Sequence, residues 1–521
     1  MPDQLHTKRL HAFISVNSLA MLFNSLSFLF VFAPIVILGF YVLGARNASV
    51  ACAWLGGFSL VFYAMWYPQH TLILLASIVL NFVAGILISR ADDVGGFSRK
   101  TLLKLAITVN LLALCYFKYA GFFVASATAA FGLQWAIGEI ALPLGVSFFT
   151  FTQIAYLVDT YEGKVKEHDF NRYLLFVTYF PHLVAGPIIH HKDVMSQFAR
   201  RDTFRFSDVN FALGVVIFII GLFKKVVIAD NVDIFVAPIF KLAEQGAALD
   251  MATAWIGALA YTIQLYFDFS GYSDMAIGLS MMLNVRLPFN FDSPYKARNI
   301  IDFWRRWHIS LSTFLRDYLY IPLGGNRLGN SRRYINMGIT MLLGGLWHGA
   351  GWTFIVWGAL HGAYLGLNHF WQAHYSATKS KYSPLLDGLS WALTLLAVII
   401  AWVFFRAQTL HGALSMLGAI IGLGANTSAP ILLSSGVALD VGLAFACVVP
   451  LLAVTMWAPN SQQIASRLLT NPLSFLRWER ESSDTLIWKP VPIVWSVVIG
   501  TTLSAALILL SRPSEFLYFN F

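Results

Sequence analysis

The sequence predicts an all-α integral membrane protein that crosses the bilayer many times. Of its 521 residues, 58% are hydrophobic and only 12% are charged, whereas soluble chains usually carry about 25% charged residues. Apolar stretches of about 20 residues, the length that spans a bilayer as a helix, recur along the chain. Outer-membrane barrels show short alternating segments instead, so a bundle of helices is the architecture that fits.

Thirteen apolar segments are candidate membrane spans, and we expect 11 to 13 real ones, accompanied by re-entrant and amphipathic helices. The candidates are Leu26–Leu43, Val50–Trp66, Thr71–Ile88, Leu102–Phe117, Ile140–Val158, Tyr173–Ile189, Phe211–Val227, Met251–Phe267, Ile335–Trp347, Thr353–Leu367, Leu389–Phe405, Val437–Met456 and Val491–Leu510. Residues 1–20 form a polar N-terminal extension, and we expect residues 21–521 to form one membrane domain.

The net charge of +9 indicates membrane topology rather than nucleic-acid binding, because no soluble domain carries it. Between Arg286 and Arg333 there are nine Lys or Arg residues and three Asp residues. Cytoplasmic segments of membrane proteins carry such an excess, so this segment is predicted to face the cytoplasm. The three cysteines lie in apolar stretches without metal-type spacing, which predicts neither a disulfide framework nor a metal site.

The segment Tyr179–Pro187 places two prolines, a glycine and His182 in an apolar run. Each proline removes a backbone donor, and non-helical backbone at membrane depth survives only where protein or a water-filled space surrounds it. We therefore expect a broken or re-entrant helix that lines a cavity. The alternative is a simple kinked helix in which His182 bonds to a backbone carbonyl.

A second polar cluster, Gln264–Asp274, contains Asp268 and Asp274 within an apolar run. Buried carboxylates need partners, and we expect arginines of the nearby basic segment to supply them. Two interpretations stay open here: a catalytic acid, and a structural ion pair that ties two helices together.

The segment Asp302–Arg327 has helical periodicity, which is typical of an amphipathic helix at the membrane interface. We expect Pro322, Gly324 and Gly325 to end this helix. Its apolar face holds Phe303, Trp307, Leu311, Phe314 and Tyr318, and the opposite polar stripe holds Arg305, His308, Ser312 and Arg316.

His348 lies in an apolar segment flanked by glycines at 344, 345, 349 and 351, and His361 follows with glycines on both sides. Small residues let another helix or a ligand approach the backbone closely. A single apolar histidine is more often a packing residue. The motifs around His308 and His348, joined by a basic segment, nevertheless favour a buried reaction site near the membrane midplane.

Three segments together resemble the signature of membrane-bound O-acyltransferases: Arg305–Ser312, Pro322–Arg327 and Gly344–Ala350. Within that family they are similar to the bacterial branch that acetylates exported polysaccharides such as alginate and cellulose. Pro181–Pro187 and Tyr266–Asp274 resemble other motifs of that branch. The likeness runs from about residue 21 to the C-terminus, and it implies a helical fold with a central funnel in the bacterial inner membrane.

The resemblance also implies roles for individual residues. His348 matches the family's essential histidine, which would take the proton from an acceptor hydroxyl. His308 matches a second position with His or Asn, and it would orient the acceptor or stabilise charge on the reacting carbonyl. Further binding candidates are Arg305, Arg306 and Arg327 for coenzyme A phosphates, with Trp307, Ser312, Asp268, Asp274, His182 and Trp347. Positive-inside topology alone would also place arginines there.

The implied activity is the transfer of acetyl from cytoplasmic acetyl-CoA, with no permanently bound cofactor, across the inner membrane to an exported polysaccharide. The implied partners are a periplasmic SGNH-type acetyltransferase and a polysaccharide synthesis and export complex. Peptidoglycan O-acetylation and teichoic-acid D-alanylation are alternatives within the same chemistry. Outside it, a transporter of an acidic substrate would also show broken helices and intramembrane carboxylates, and a non-catalytic export scaffold would turn over no acetyl-CoA.

Overall fold

The fold is known from a computed structural model that leaves the polar extension, residues 1–20, outside the described residues. The structure describes residues 21–66, 68–91, 98–135, 137–138, 140–165, 169–184, 186–375, 384–425, 438–470, 493–510 and 517.

Helices make up nearly all of the regular structure in these ranges. They are α1 Ala33–Gly44, α2 Ala48–Ala64, α3 Pro68–Arg90, α4 Arg99–Leu114, α5 Ala120–Phe131, α6 Val146–Tyr161, α7 Phe170–Thr178, α8 Phe180–Leu183, α9 His191–Phe198, α10 Asp208–Phe223, α11 Asp230–Glu244, α12 Met251–Met282, α13 Ile300–Arg306, α14 Ile309–Leu315, α15 Asn330–His348, α16 Trp352–Tyr375, α17 Pro384–Arg406, α18 Leu410–Ile420, α19 Val441–Trp457, α20 Ser461–Arg467 and α21 Ile493–Leu509. π-helical turns occupy Phe28–Phe32, Cys115–Tyr119, Lys224–Ala229 and Arg316–Tyr320.

The predicted all-α membrane fold is confirmed. Among the described residues, four helices are long and apolar enough to cross a membrane, or five if the bent pair α19 and α20 counts as one span. The four are Pro68–Arg90, Arg99–Phe131, Asp208–Glu244 and Pro384–Arg406, and four shorter apolar helices accompany them. Exposed Leu, Ile, Val and Phe side chains on these helices form the surface that lipid would cover. The total of 11 to 13 spans stays a prediction.

The chain forms two compact units. Among the described residues, the first unit comprises those up to residue 218 together with 275–287, and the second comprises 219–274 and those from residue 288 onward. In the first unit, phenylalanine rings pack in a buried cluster with centroids 5.0–6.3 Å apart: Phe23, Phe28, Phe32, Phe62 and Phe180. Reciprocal amide hydrogen bonds of 3.1 and 2.7 Å between Asn81 and Asn110 join α3 to α4. Such bonds satisfy buried polar groups that lipid could not.

The predicted break at Tyr179–Pro187 is confirmed. Helix α7 ends at Thr178, Tyr179 has φ −45° and ψ 104°, and the short α8 begins with Pro181 in its first turn. The proline fits there because the first turn of a helix has unpaired backbone donors in any case. The Nε2 atom of His182 lies 3.0 Å from the carbonyl oxygen of Phe176. The helix is thus broken, and His182 also makes the carbonyl contact that the kinked-helix alternative predicted.

In the second unit, α15 and α16 pack closely as an antiparallel pair through glycines. A Cβ atom on Gly345 would collide with the carbonyl oxygen of Phe354 and lie 3.1 Å from the Cα atom of Gly358. A Cβ atom on Gly358 would lie 2.5 Å from the carbonyl oxygen of Met341. Two backbones in such close contact leave no room for side chains between them. This packing fixes where α15 ends, and therefore where its last residue, His348, lies.

Candidate active site

His308 lies at a break between two helices, not on one continuous helix. Helix α13 ends at Arg306, Trp307 is extended, and His308 has φ 44° and ψ 54° before α14 begins. The left-handed region costs a non-glycine residue about 1–2 kcal/mol, and such conformations persist where the surroundings impose them. The prediction of one amphipathic helix over this segment is therefore wrong.

The break also separates the members of the predicted polar stripe. Arg305 and Arg316 are exposed, whereas His308 is fully buried with 0% of its surface accessible. Ser312 is half-buried, and its hydroxyl donates to the carbonyl oxygen of Trp307 at 3.4 Å. The backbone turn at His308 thus moves the imidazole away from the arginines and into the protein interior.

Asn290, which was not among the predicted site residues, holds the chain on the far side of this turn. Its backbone carbonyl accepts from the amide of Ile309 at 3.0 Å. Its side-chain oxygen accepts from the Ser310 hydroxyl at 2.6 Å and from the Ser310 amide at 3.3 Å. Asn290 is itself buried. These bonds satisfy the first amides of α14 and hold His308 in its strained conformation.

His348 ends α15. Gly349, which follows it, is extended with φ −160° and ψ 151°, and a Cβ atom at that position would collide with the ring of Phe354. His348 is 4% exposed. The sequence signal for this position was the run of glycines, and the structure shows what they do. They let the helix end abruptly in a densely packed interior.

The structure brings the two histidines together. Their ring centroids lie 6.3 Å apart with the planes inclined by 56°. Trp347 belongs to the same group, because its ring lies 4.9 Å from His348 and 6.2 Å from His308. Three further aromatic side chains lie against the pair: the ring of Phe269 lies 4.7 Å from that of His308, and the rings of Trp357 and Phe405 lie 5.0 and 5.1 Å from that of His348.

Trp307 lies beside this group without a ring contact to either histidine among those described. It packs at 4.8 Å on Trp402 and at 5.0 Å on Phe291, in the aromatic layer that surrounds the pair. His361 is fully buried in the same layer, and its Nδ1 atom accepts from the indole of Trp304 at 3.2 Å. Both residues therefore contribute packing around the pair.

The carboxylates of α12 pair with lysines, not with arginines of the basic segment as predicted. The Nζ atom of Lys224 lies 2.6 Å from Asp274, and that of Lys225 lies 2.6 Å from both Asp268 and Asp230. Lysines at the junction of α10 and α11 are long enough to reach α12. The geometry matches the structural ion pair between helices, the second interpretation of these carboxylates.

The predicted phosphate-binding arginines differ in their surroundings. Both side-chain oxygens of Asp302 lie 3.0 Å from Nε of Arg306, and Asp292 lies 3.7 Å from its Nη1 atom. Arg305 and Arg327 are exposed, and no carboxylate within the described ranges pairs with either.

His182 belongs to the first unit, while the histidine pair belongs to the second.

What the pair can do follows from imidazole chemistry. Each neutral ring offers one acceptor and one donor nitrogen, so two adjacent rings can take a proton from one group and donate a hydrogen bond to another. Aromatic walls exclude water and strengthen such interactions. The arrangement suits proton transfer coupled to attack on a carbonyl carbon, which is the chemistry of acyl transfer.

Comparison with known proteins agrees with this chemistry. The membrane-bound O-acyltransferase family matches residues 95–407. A peptidoglycan O-acetyltransferase of Helicobacter pylori is 42% identical over 77% of this chain and 80% of its own length. A probable alginate O-acetylase of Pseudomonas aeruginosa is 44% identical over 78% of this chain and 75% of its own. A teichoic acid D-alanyltransferase of Bacillus subtilis is 28% identical over 50% of this chain and 66% of its own. The chain therefore belongs to the membrane-bound O-acyltransferase family and is a multi-pass membrane O-acyltransferase.

Proposed function

We propose that this protein takes acetyl from cytoplasmic acetyl-CoA and moves it across the bacterial inner membrane for O-acetylation of an exported polysaccharide, alginate or cellulose. One observation carries the proposal: His308 and His348 lie 6.3 Å apart, buried among aromatic rings. The identity to probable alginate O-acetylases over most of the chain supports the acetyl group and the polysaccharide.

In the proposed reaction, His348 accepts the proton of the acceptor hydroxyl as its oxygen attacks the thioester carbonyl carbon. His308 donates a hydrogen bond to the carbonyl oxygen, on which negative charge develops. The carbon–sulfur bond then breaks, an oxygen ester forms, and the proton passes from His348 to the thiolate of coenzyme A. Atoms and charge balance, because the thioester and alcohol become ester and thiol, and no bound cofactor is needed.

The acceptor that receives the group is, in this proposal, a separate periplasmic acetyltransferase of the SGNH type. The donor is cytoplasmic while the polymer lies outside the membrane, so the group must change sides before it reaches the polymer. A partner with a serine hydroxyl would carry it onward to the polysaccharide synthesis and export complex.

A second candidate acceptor is peptidoglycan. The observation that favours it is the peptidoglycan O-acetyltransferase of Helicobacter pylori, which matches this chain over a similar extent as the alginate relatives do. Deleting the gene and measuring ester-linked acetate on purified alginate, cellulose and peptidoglycan separates the two. Acetate lost from peptidoglycan alone would replace the exopolysaccharide proposal.

The histidine mechanism is tested by acetyl-CoA turnover of the purified protein. His348→Ala should lower turnover by about 10²–10⁴-fold, the contribution typical of a general base. His374→Ala is the matched control, because His374 is an exposed histidine whose ring lies 2.9 Å from its own helix's Phe370 carbonyl oxygen. Undiminished turnover in folded His348→Ala protein would refute the mechanism.

The same assay separates the other classes. Neither a transporter of an acidic substrate nor a non-catalytic scaffold would cleave the thioester of acetyl-CoA. A teichoic-acid type D-alanyl transferase would draw its acyl group from a charged carrier protein and leave acetyl-CoA untouched.

A further inference from the structure

The cations between Arg298 and Arg333 fall into two groups. Arg298 pairs with Asp387 at 2.6 Å, and Arg306 pairs with Asp302 at 3.0 Å. Arg316 lies 2.7 Å from Asp317 in the same way. Arg305, Arg327, Arg332 and Arg333 differ, since within the described ranges no carboxylate lies at ion-pair distance from any of them.

Arg333 instead contacts a histidine. Its Nη2 atom lies 2.7 Å from Nδ1 of His369, so the bond joins the first turn of α15 to the last third of α16. A guanidinium only donates hydrogen bonds, so Nδ1 must accept, and the proton of the neutral ring lies on Nε2. Arg305 follows Trp304 on α13, and the Trp304 indole donates to Nδ1 of His361 at 3.2 Å, two helical turns before His369 on α16, so the charge of Arg305 also acts on the His369 ring. Two permanent cations therefore lie near one imidazole that has a donor N–H.

This arrangement is unfavourable by itself, because like charges repel and neither guanidinium is ion-paired to a carboxylate in the part of the chain that the structure describes. An anion with several oxygen atoms would accept from the remaining N–H groups of both guanidinium ions and from Nε2 of His369. The first-turn amides of α15 add partial positive charge at the same end of that helix. The residues are half-buried or exposed, so an anion can enter from solvent.

Helix α15 fixes the position of Arg333 relative to His348, because both residues lie on it. Arg333 and His348 are 15 residues apart on one helix, which corresponds to ~22 Å at 1.5 Å per residue. The phosphopantetheine arm of a coenzyme A thioester has a comparable reach. A phosphate bound at Arg333 would therefore allow the thioester to lie near the histidine pair.

We propose that Arg305, Arg333 and His369 form a phosphate-binding site. The phosphates of a coenzyme A donor are one source of the ligand, and that assignment rests on the proposed function. An anionic phospholipid headgroup is the other source, because Phe370 and Trp371 beside His369 are 47% and 60% exposed, as aromatic side chains at a membrane interface are.

The test measures binding without turnover, in a His348→Ala background. Coenzyme A, 3′-dephospho-coenzyme A and pantetheine are titrated against the parent protein and against Arg333→Gln and Arg305→Gln variants. Each substitution should weaken coenzyme A binding about tenfold, which is ~1.4 kcal/mol, and leave pantetheine binding unchanged. Arg298→Gln is the matched control, since Arg298 lies in the same basic segment and pairs with Asp387.

Copurified phosphatidylglycerol, counted by native mass spectrometry, provides the second arm. Loss of this lipid from Arg333→Gln and Arg305→Gln, with coenzyme A binding unchanged, supports the phosphate site and assigns the lipid headgroup as its ligand. Unchanged coenzyme A binding together with unchanged lipid in folded variants overturns the site. Since neither arm requires acetyl transfer, failure of the proposed function and failure of this site are seen separately.

Discussion

The imidazole rings of His308 and His348 lie 6.3 Å apart although 40 positions separate the two residues along the chain. One ring projects from a strained turn between two short helices, and the other ends a long helix. Neither helix alone would place a histidine in this interior. The turn held by Asn290 and the glycine packing of α15 against α16 together produce the pair.

The strained backbone of His308 predicts that substitutions at this position differ in their effect on the stability of the protein. Asparagine occupies the left-handed region far more readily than β-branched residues do. His308→Asn should therefore be more stable than His308→Val by roughly 1–2 kcal/mol, as measured by thermal unfolding in detergent. Asparagine also keeps a hydrogen-bond donor, so His308→Asn should retain more acetyl-CoA turnover. Equal stability of the two variants would show that the turn imposes no strain.

The hydrogen bonds between Asn290 and Ser310 predict coupling between these residues. Asn290→Ala removes the side-chain oxygen that accepts from the buried Ser310 amide and hydroxyl and should cost about 1–3 kcal/mol. Ser310→Ala should add little in that background, since the bond it would remove is already lost. Unfolding free energies of both single variants and the double variant complete the cycle. Additive losses would mean that the bond does not hold the turn.

The Lys224–Asp274 ion pair predicts that removing one charge is worse than removing both. Lys224→Met leaves a buried carboxylate uncompensated and should cost about 3–5 kcal/mol, whereas Lys224→Met with Asp274→Leu should recover most of that loss. The folded double variant should still turn over acetyl-CoA. Complete loss of turnover in it would favour the catalytic-acid interpretation of Asp274.

The close packing of α15 on α16 predicts opposite outcomes for two alanine substitutions on one helix. Gly345→Ala would meet the backbone of Phe354 and Gly358 and should cost about 1–3 kcal/mol by overpacking. Gly338→Ala meets no atom within 4 Å among the described residues and should be neutral or slightly stabilising. Thermal unfolding of the two variants measures the difference. Similar losses at both positions would contradict this account of the helix pair.

Composition and periodicity were sufficient for the helical membrane fold, because apolar length alone determines which segments can cross a bilayer. The break at Tyr179 was also predictable, since prolines remove donors at fixed positions. The break at His308 was not. Phe303, Trp307 and Leu311 keep a four-residue spacing straight through it, and the residue that imposes it, Asn290, lies 18 positions upstream.

The partners of the intramembrane carboxylates could not be predicted from the sequence either. The negative charge of a buried carboxylate does not show whether its partner is Arg or Lys. The basic segment after α12 lies closer along the sequence to Asp268 and Asp274 than the lysines do. The actual partners, Lys224 and Lys225, lie 50 and 43 residues before Asp274 and Asp268. Only packing of the helices shows that they reach these carboxylates.

Transfer of acetyl across the membrane by the histidine pair can be measured in proteoliposomes with a single protein orientation. Labelled acetyl-CoA is supplied on the cytoplasmic face, and a periplasmic acceptor protein with a reactive serine is supplied on the other. We expect label on the acceptor with the parent protein and with His374→Ala, and about 10²–10⁴-fold slower labelling with His348→Ala. Labelling by folded His348→Ala at the parent rate would refute the role of His348 as the general base.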